Sequence, residues 1–581
     1  MPHVLESDES YPPCLLGVSQ KLPCFRILIV KKMYGDLYIG IDVGTGSVRA
    51  ALFQNNGTLI AKHVSKISIH NPQPDYYEQS TENIWAAVIC SVKGIMSSSQ
   101  VKPKDVKGIG FDATCSLAVL DANGQPLTVS PSGKNEWNVI MWMDHRAKDQ
   151  ADRISDTKHD VLKYLGGSMF LEMQTPKLLW LKENLSDTWQ TAGSFYDLPD
   201  FLTWRATGHD SRSLCSVTCK WTYQSSENGQ GNWNSQFFDL IGLQKLAEND
   251  FAKIGKEIKS PGENVCSTGL SVAAAAELGL SPGTTVATSI IDAHAGTLGS
   301  LNCKPRGMVS PPLLNRMSLI SGTSNCHIVL SSSAKFVPGV WGPYYSSILP
   351  NLWSTEGGQS AAGDLLDHIV KNHAAFPAIK EKAEKRSVHS FSILNEALED
   401  LRQQNKLSSV ALLTSKLHMW PDFHGNRSPL ADPTLRGMIS GLKLSSSQKE
   451  LCLHYLATVQ ALAYGTKHII QELEKYGHNI NVVHMCGGLR NNSLLVQTFA
   501  DVVGIPFVLP DMDESVLLGA AILGAFASGN YSSIQEAMEA MGGEGSVVMP
   551  NKQDFSYHEK KYRVFLQMLD DQKAYQTIME S

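Results

Sequence analysis

The clearest sequence signal for the fold is the stretch Tyr38-Ile-Gly-Ile-Asp-Val-Gly-Thr-Gly-Ser-Val-Arg-Ala-Ala-Leu-Phe53. Apolar residues lie on both sides of a four-residue turn, which predicts a β-hairpin whose first strand is buried. The turn consists of Gly44, Thr45, Gly46 and Ser47. Its glycines let an anion approach the backbone closely, and its hydroxyl groups can donate hydrogen bonds. We interpret it as a phosphate-binding loop; an ordinary glycine hairpin is the alternative.

A second hairpin of the same kind is predicted at Met317–Leu330, around a turn that contains Gly322, Thr323 and Ser324. Two such hairpins, one in each half of the chain, suggest duplicated domains that face one cleft. A polyphosphate in that cleft would be held from both sides, as in the actin-like ATPases. Because predicted strands and helices alternate, the fold class is α/β. The paired hairpins resemble those of two actin-like, ribonuclease H-like domains facing a central cleft, and we expect that architecture here.

The remaining segments divide the chain into three parts. Residues 1–35 carry four prolines and no clear period, which predicts a poorly ordered extension. We place one domain at 36–300 and a second at 301–581. Strands are predicted at 106–111, 139–143, 286–291, 481–486 and 506–509, and helices at 174–184, around 494–503 and around 519–525.

Composition and charge exclude several classes of function. Hydrophobic residues make up 43% of the 581 residues, enough for a large core, and 50 Lys and Arg against 56 Asp and Glu give a net charge of −6. No basic excess favours a nucleic-acid or membrane partner. Eleven cysteines include no CxxC pair, and Cys215 and Cys219 have no partnering histidine cluster in the sequence. We therefore expect no zinc site and no disulfide framework, and a cytoplasmic protein.

Two further motifs carry chemistry. Asp292 follows a predicted buried strand, where a carboxylate is well placed to accept a proton from a hydroxyl nucleophile; a helix N-cap is the alternative. Gly487 and Gly488 precede a predicted helix and offer a flat surface for an adenosine, with Asn491 as the cap of that helix or a nucleotide contact; a tight structural turn is the alternative. Asp42, at the end of the first strand, could hold a hydrated Mg²⁺.

An ordered set of motifs resembles the FGGY carbohydrate kinases over residues 38–529. The motifs include DVGTGSVRAALF, GFDATCSLAVLD, MWMDHRA, IDAHAGT, SGTSNCH, EGGQSAAGD, PDFHGNRSPLADP and CGGLRNNSLLVQTFADVVGIP. DATCSL, DHRA, IDAHAG and DFHGNRSP are similar to the ribulokinase branch of that family. The resemblance implies an ATP- and Mg²⁺-dependent kinase for a small sugar, without nucleic-acid or membrane partners, and it leaves the oligomeric state open, a homodimer included.

The resemblance also assigns roles to individual residues. It implies Asp292 as catalytic base, Asp42 and Asp292 as Mg²⁺ ligands through water, and the three glycine turns as the ATP site. The resemblance also implies a set of substrate-binding residues. They are Asp112, Thr114, Cys115, Trp142, Asp144, His145, Lys220, Asp292 and Glu356. Structural alternatives stay open for three of these: Trp142 in the core, Lys220 along a surface, and Glu356 as a loop carboxylate.

The implied reaction is phosphorylation of a ketopentose, with D-ribulose to D-ribulose 5-phosphate as the expected case. Ribitol or xylulose is the alternative substrate. An actin-like ATP switch without sugar chemistry is the alternative from another class, and a degraded kinase retained as a scaffold is a third.

Overall fold

The structure is a computed structural model that describes residues 35–228 and 231–580. Of the predicted extension, residues 1–34 lie outside the described residues. Up to residue 302 the strands are β1 (Leu37–Val43), β2 (Ser47–Gln54), β3 (Leu59–Lys66), β4 (Glu78–Gln79), β5 (Val106–Ala113), β6 (Leu117–Asp121), β7 (Val139–Ile140), β8 (Ala192–Asp197), β9 (Arg212–Ser213), β10 (Ile258–Lys259), β11 (Thr285–Val286) and β12 (Ile290–Ile291). The helices there are α1 (Thr81–Ser99), α2 (Lys148–Asp156), α3 (Gln174–Asn184), α4 (Ser186–Thr191), α5 (Leu198–Thr207), α6 (Leu214–Lys220), α7 (Ser235–Leu240), α8 (Val272–Leu278) and α9 (Asp292–Leu301).

Strands and helices also alternate in the second half of the chain. Its strands are β13 (Lys304–Pro305), β14 (Arg316–Ser321), β15 (Asn325–Ser331), β16 (Trp341–Tyr345), β17 (Trp353–Gln359), β18 (His418–Trp420), β19 (Met438–Ser440), β20 (Val482–Cys486), β21 (Phe507–Pro510) and β22 (Glu544–Val548). Its helices are α10 (Gly363–Lys371), α11 (Phe376–Arg386), α12 (Ser390–Gln404), α13 (Gln448–Lys475), α14 (Ser493–Val503), α15 (Ser515–Ala527), α16 (Ile534–Met541) and α17 (Phe555–Glu580).

Both large sheets contain the same four-strand arrangement. In the first, β1 pairs antiparallel with β2, β2 pairs antiparallel with β3, and β5 lies parallel to β1 on its other side. In the second, β14 pairs antiparallel with β15, β15 with β17, and β20 lies parallel to β14. Each hairpin predicted from a glycine turn therefore stands at the same place in its sheet, which confirms the two-domain α/β architecture.

The helices α9 and α15 pack against each other between the two sheets. A Cβ atom on Gly519 of α15 would lie 1.8 Å from the carbonyl oxygen of Ala295 in α9, so these helices approach at backbone distance. The helix α15 also packs on β1 and β5 of the first sheet. The first sheet is thus covered by a helix from the second half, and residues from Gly35 onward pack as one unit.

Most predicted elements form within a few residues of their expected bounds, and two strands differ. The strand expected at 139–143 ends at Ile140. The strand expected at 286–291 is split into β11 and β12, because the Thr288 N–H donates to the carbonyl oxygen of Glu263 in a neighbouring loop instead of to the sheet. Across residues 35–228 and 231–580, no helix combines the length and apolar character needed to cross a bilayer.

Candidate active site

Three carboxylates meet at one edge of the first sheet. Asp42 of β1 lies opposite Asp112 of the parallel strand β5. Ile290 of β12 also lies opposite Asp112, and α9 begins two residues later with Asp292. Because the carboxyl ends of parallel strands share one edge, this pairing brings Asp42, Asp112 and Asp292 together.

Burial raises the pKa of all three carboxylates, Asp42 included. Burial, followed by the charge of Asp42, raises the pKa of Asp292 to about 6. Burial and the charges of Asp42 and Asp292 hold the pKa of Asp112 well above its usual range. The guanidinium group of Arg49 pairs with Asp42. A carboxyl group with a pKa near neutrality is suited to take up a proton at working pH, and Asp292 meets that condition.

Hydrogen bonds from within the hairpin and from neighbouring side chains fix the first glycine turn. Gly44 N–H donates to the Ser47 carbonyl oxygen at 3.0 Å, which closes the hairpin. Trp142 donates through Nε1 to Thr45 Oγ1 at 3.2 Å, and Gln79 donates through Nε2 to the Thr45 carbonyl oxygen at 2.9 Å. Gly46 is exposed, and a Cβ atom there would meet nothing within 4 Å. This leaves space beside the turn for an anion.

The second glycine turn and the predicted adenosine turn lie side by side. Ile320 of β14 is the register partner of Cys486 in β20, so the segments that follow them emerge together. Gly487 has φ 90°, and a Cβ atom on it would lie 2.4 Å from the carbonyl oxygen of Ser321. Only glycine fits that approach and that φ. The tertiary structure therefore joins Gly322, Thr323 and Ser324 to Gly487 and Gly488 at one location.

The capping role predicted for Asn491 is wrong. Asn492 is the N-cap of α14, and its side-chain oxygen accepts a hydrogen bond from the Leu495 N–H. Asn491 ends a short 3₁₀ helix, Gly488–Asn491, and is exposed. This 3₁₀ turn shifts the start of α14 by one residue and leaves Asn491 without a capping role. Its contact with a nucleotide stays a prediction.

A cavity of about 600 Å³ lies between residues of the two halves. Trp142, His145 and Glu172 line it from the first half, and Thr323 and Arg427 line it from the second. It is also lined by His424, whose Nε2 lies 3.3 Å from Nε2 of His145. Burial and His424 lower the pKa of His145. Two of the predicted substrate residues, Trp142 and His145, therefore share a cavity with Thr323 of the second glycine turn.

Lys220 and Glu356 belong to a buried charged network next to that cavity. Glu356 is paired with Arg427, and its Oε2 lies 3.2 Å from Nε2 of His294. Arg427 and Lys220 approach Glu172 at 3.8 and 3.9 Å. Burial alone would raise the pKa of Glu356, but Lys220 and Arg427 hold that pKa well below its usual range. Glu356 is therefore a carboxylate at neutral pH.

This network corrects two of the structural alternatives. Lys220 is 2% exposed and its Nζ lies 4.1 Å from the centre of the Trp341 ring, so it does not run along a surface. Glu356 stands in the middle of β17 and is 4% exposed, so it is not a loop residue. Arg427 lies over the same Trp341 ring at 4.0 Å. Lys220 and Arg427 are thus two buried cations on one indole ring. Their burial is favourable only with the carboxylates of Glu172 and Glu356 beside them.

The other predicted substrate residues have structural contacts of their own. Asp144 is 1% exposed and is paired with Arg146 at 2.7 Å. Thr114 Oγ1 lies 3.2 Å from Ser116 Oγ. Cys115 is buried, and its carbonyl oxygen accepts from Gln174 Nε2 at 3.1 Å. The contact of these residues with a substrate stays a prediction.

Sequence reasoning missed part of this site. His294, His424 and Arg427 lie inside the quoted motifs IDAHAGT and PDFHGNRSPLADP, so a signal for them was present. Glu172 and Trp341 lie outside all of the quoted motifs. Their roles depend on packing between segments far apart in the chain.

The cysteine interpretation also needs correction. Cys215 and Cys219 lie on one face of α6, and His294 of α9 reaches them: its Nδ1 is 2.9 Å from Cys215 Sγ. Burial alone would raise the pKa of Cys219, but the hydrogen bond with Cys215 and the charge of His294 lower it to about 5. Burial alone would lower the pKa of His294, but Cys219 and Glu356 raise it to about 9. The partnering histidine was hidden because it is 75 residues away.

Comparison with known proteins matches both halves of the chain to one family. The N-terminal domain of the FGGY family of carbohydrate kinases matches residues 37–299, and its C-terminal domain matches residues 317–528. An FGGY carbohydrate kinase domain-containing protein of Homo sapiens is 50% identical over 547 residues, which cover 93% of this chain and 98% of that protein. A D-ribulokinase of Saccharomyces cerevisiae is 38% identical over 573 residues, covering 95% and 80%.

Solved structures share the fold at low sequence identity. A gluconate kinase from Lactobacillus acidophilus matches with a TM-score of 0.75 at 18% identity, over 92% of this chain and 98% of that one. A xylulose kinase from Rhodospirillum rubrum matches with a TM-score of 0.72 at 18% identity, over 93% and 99%. The family domains cover nearly all of the chain from residue 37 to residue 528. This chain belongs to the FGGY family of carbohydrate kinases and is an ATP-dependent sugar kinase.

Proposed function

We propose that this chain transfers the γ-phosphoryl group of ATP to the C5 hydroxyl of D-ribulose and releases D-ribulose 5-phosphate and ADP. The observation that carries the proposal is the position of Asp292. It lies at the sheet edge beside Asp42, and the charges of His294 and Lys220 also act on it. The choice of D-ribulose is supported by the yeast D-ribulokinase at 38% identity, and a ribulokinase of Staphylococcus saprophyticus at 30% supports ribulose without specifying the enantiomer.

In the proposed reaction Asp292 accepts the hydroxyl proton. The substrate oxygen forms a bond to the γ-phosphorus while the bond from that phosphorus to the leaving ADP oxygen breaks. Backbone N–H groups and hydroxyls of the turns at 44–47 and 322–324 would donate to the phosphoryl oxygens. The chain then contributes mainly position and electrostatic stabilisation.

Mg²⁺ would be held through water by Asp42 and Asp292, beside Asp112. The residues fit such an ion: the carboxylate oxygens of Asp112, which lie against Asp42, receive no hydrogen bond from an N–H or hydroxyl group of the described residues. Buried acceptors of this kind call for a cation or a proton. Bound there, Mg²⁺ would offset negative charge on the phosphates.

On the sugar side, Lys220 and Glu356 would provide a donor and an acceptor for substrate hydroxyls. Both are held in place by Arg427, Glu172 and Trp341. Buried groups fixed in this way discriminate against a substrate that lacks the matching hydroxyl, because they would be left unpaired. An ATP switch without sugar chemistry would leave this network without a role.

The test is ADP release by the purified full chain with D-ribulose, L-ribulose, xylulose, ribitol, glycerol and gluconate as acceptors. We expect the highest kcat/KM with D-ribulose. A higher kcat/KM with xylulose or ribitol would overturn the substrate while leaving the sugar kinase in place. Mg²⁺ dependence is tested in the same assay by adding a chelator and then restoring the ion.

A further inference from the structure

The proposed phosphoryl transfer assigns no role to Cys215 or Cys219, which form a cluster with His294. Their ligand atoms, the two Sγ atoms and one imidazole nitrogen, all lie within 4.8 Å of one another, and all three residues are buried. We propose that this cluster binds a soft divalent cation of the Zn²⁺ type, with Cys215 and Cys219 as thiolate ligands and His294 as the imidazole ligand through Nδ1.

The local structure presents the two thiols as a pair. Cys215 and Cys219 are four residues apart on α6, so their side chains project from the same face of the helix. Thiolate and imidazole are the ligands that Zn²⁺ prefers. A bound ion would tie α6 to α9, which carries both His294 and Asp292.

The second nitrogen of His294 supports the assignment. Its Nδ1 lies 2.9 Å from Cys215 Sγ, and its Nε2 lies 3.2 Å from the Glu356 carboxylate. A histidine that binds a metal through one nitrogen commonly donates its other N–H to a carboxylate, which fixes the ring. Glu356 occupies that place.

A fourth polar group lies close by. Tyr344 is 3% exposed and lies on β16, which pairs with β17, the strand of Glu356, and packs against α6, the helix of the two cysteines. Its hydroxyl has no hydrogen-bonding side chain as a partner among the described residues, and the backbone of Gly342 is a polar neighbour. Three protein ligands leave one position of a tetrahedral ion open, and a water on that ion would be a partner for such a hydroxyl.

A disulfide explains the same pair less well. Side chains four apart on a helix have Cβ atoms about 5–6 Å apart, whereas a disulfide needs about 3.5–4.5 Å. Cross-linking would distort α6, while an ion between the sulfurs leaves the helix intact.

The test uses full-length protein produced in cells supplied with Co²⁺ in place of Zn²⁺, since the buried cluster is best loaded during folding. We expect about one Co²⁺ per chain, with the near-ultraviolet charge-transfer absorption of thiolate-bound Co²⁺. Cys219→Ser should lose that absorption, and Glu356→Gln should weaken Co²⁺ binding by about 10–100-fold. The matched control is Cys452→Ser, a buried cysteine on α13 outside the cluster, which should keep the signal.

Wild-type protein without thiolate-bound Co²⁺, or a Cys219→Ser protein with an unchanged spectrum, would overturn the site. If Cys219→Ser does not fold, X-ray absorption of the metal-loaded wild type decides the question: two sulfur neighbours and a histidine nitrogen support the site, and oxygen neighbours alone refute it. None of these readouts depends on kinase activity, so the site is tested separately from the proposed function.

Discussion

At the scale of single residues, the proposed proton transfer depends on how far the fold raises the pKa of Asp292. Asp292 has an ordinary position in the sequence, at the junction of a strand and a helix. Burial and the charge of Asp42 raise its pKa to about 6. Asp42 and Asp112 come to the same place only through strand pairing.

We expect Asp292→Ala to lower kcat by at least about a hundredfold, because a positioned general base contributes about 10²–10⁴-fold. ATP binding should be retained, since the glycine turns are untouched. Steady-state ADP release and nucleotide titration measure the two effects. Asp187→Ala is the control, because Asp187 is an exposed aspartate in the first turn of α4. Near-normal turnover in Asp292→Ala would remove this residue from the role of base.

The pH dependence follows from the same group. A base works only when deprotonated, so kcat/KM should fall as the pH drops through about 6, the raised pKa of Asp292, and level off above it. If Asp292 had the ordinary pKa of an aspartate, full activity would persist to a pH about two units lower. The pH–rate profile of the wild type measures this, and constant activity down to about pH 5 would contradict the assignment.

At the scale of elements, the two helices between the sheets set the position of Asp292, the proposed base. Asp292 is the first residue of α9, and α9 is fixed by its backbone-distance packing on α15 at Gly519. A displacement of α9 therefore moves Asp292 relative to the first sheet.

We expect Gly519→Ala to destabilise the fold by about 1–3 kcal/mol, as overpacking does, because the added methyl group would lie 1.8 Å from the Ala295 carbonyl oxygen. Denaturant unfolding measures the change. Gly46→Ala is the stability control, since its methyl group meets no atom within 4 Å. Equal stability of the Gly519→Ala protein and the wild type would show that the helices can separate without cost.

At the scale of the whole molecule, one arginine links the two halves. Arg427 belongs to the second half and contacts Glu172 of the first half and Glu356 of the second. It is 5% exposed, so its loss leaves the buried carboxylate of Glu356 and the half-buried carboxylate of Glu172 with less compensation.

We expect Arg427→Ala to lower the free energy of unfolding by about 3–5 kcal/mol, the usual cost of breaking a buried ion pair, and to raise the KM for the sugar more than the KM for ATP. Denaturant unfolding and substrate titration measure these effects. Arg386→Ala should change neither quantity, because its ion pair with Glu396 is exposed. A selective rise in the ATP KM would place Arg427 on the nucleotide side instead.

The two glycine hairpins, the α/β class and the family could be predicted from the amino-acid sequence alone. A hairpin is specified locally, by short-range patterns of apolar residues and glycines. The sequence also pointed to Asp292, which follows a buried strand. It did not specify that Asn492 rather than Asn491 caps α14, since one extra 3₁₀ turn decides that and depends on packing.

Which charged groups meet depends on how distant segments of the chain pack. Glu172, Trp341 and Arg427 come from segments more than 80 residues apart, and His294 reaches two cysteines of another helix. No local pattern encodes such contacts, because burying charges is favourable only when the fold delivers their partners.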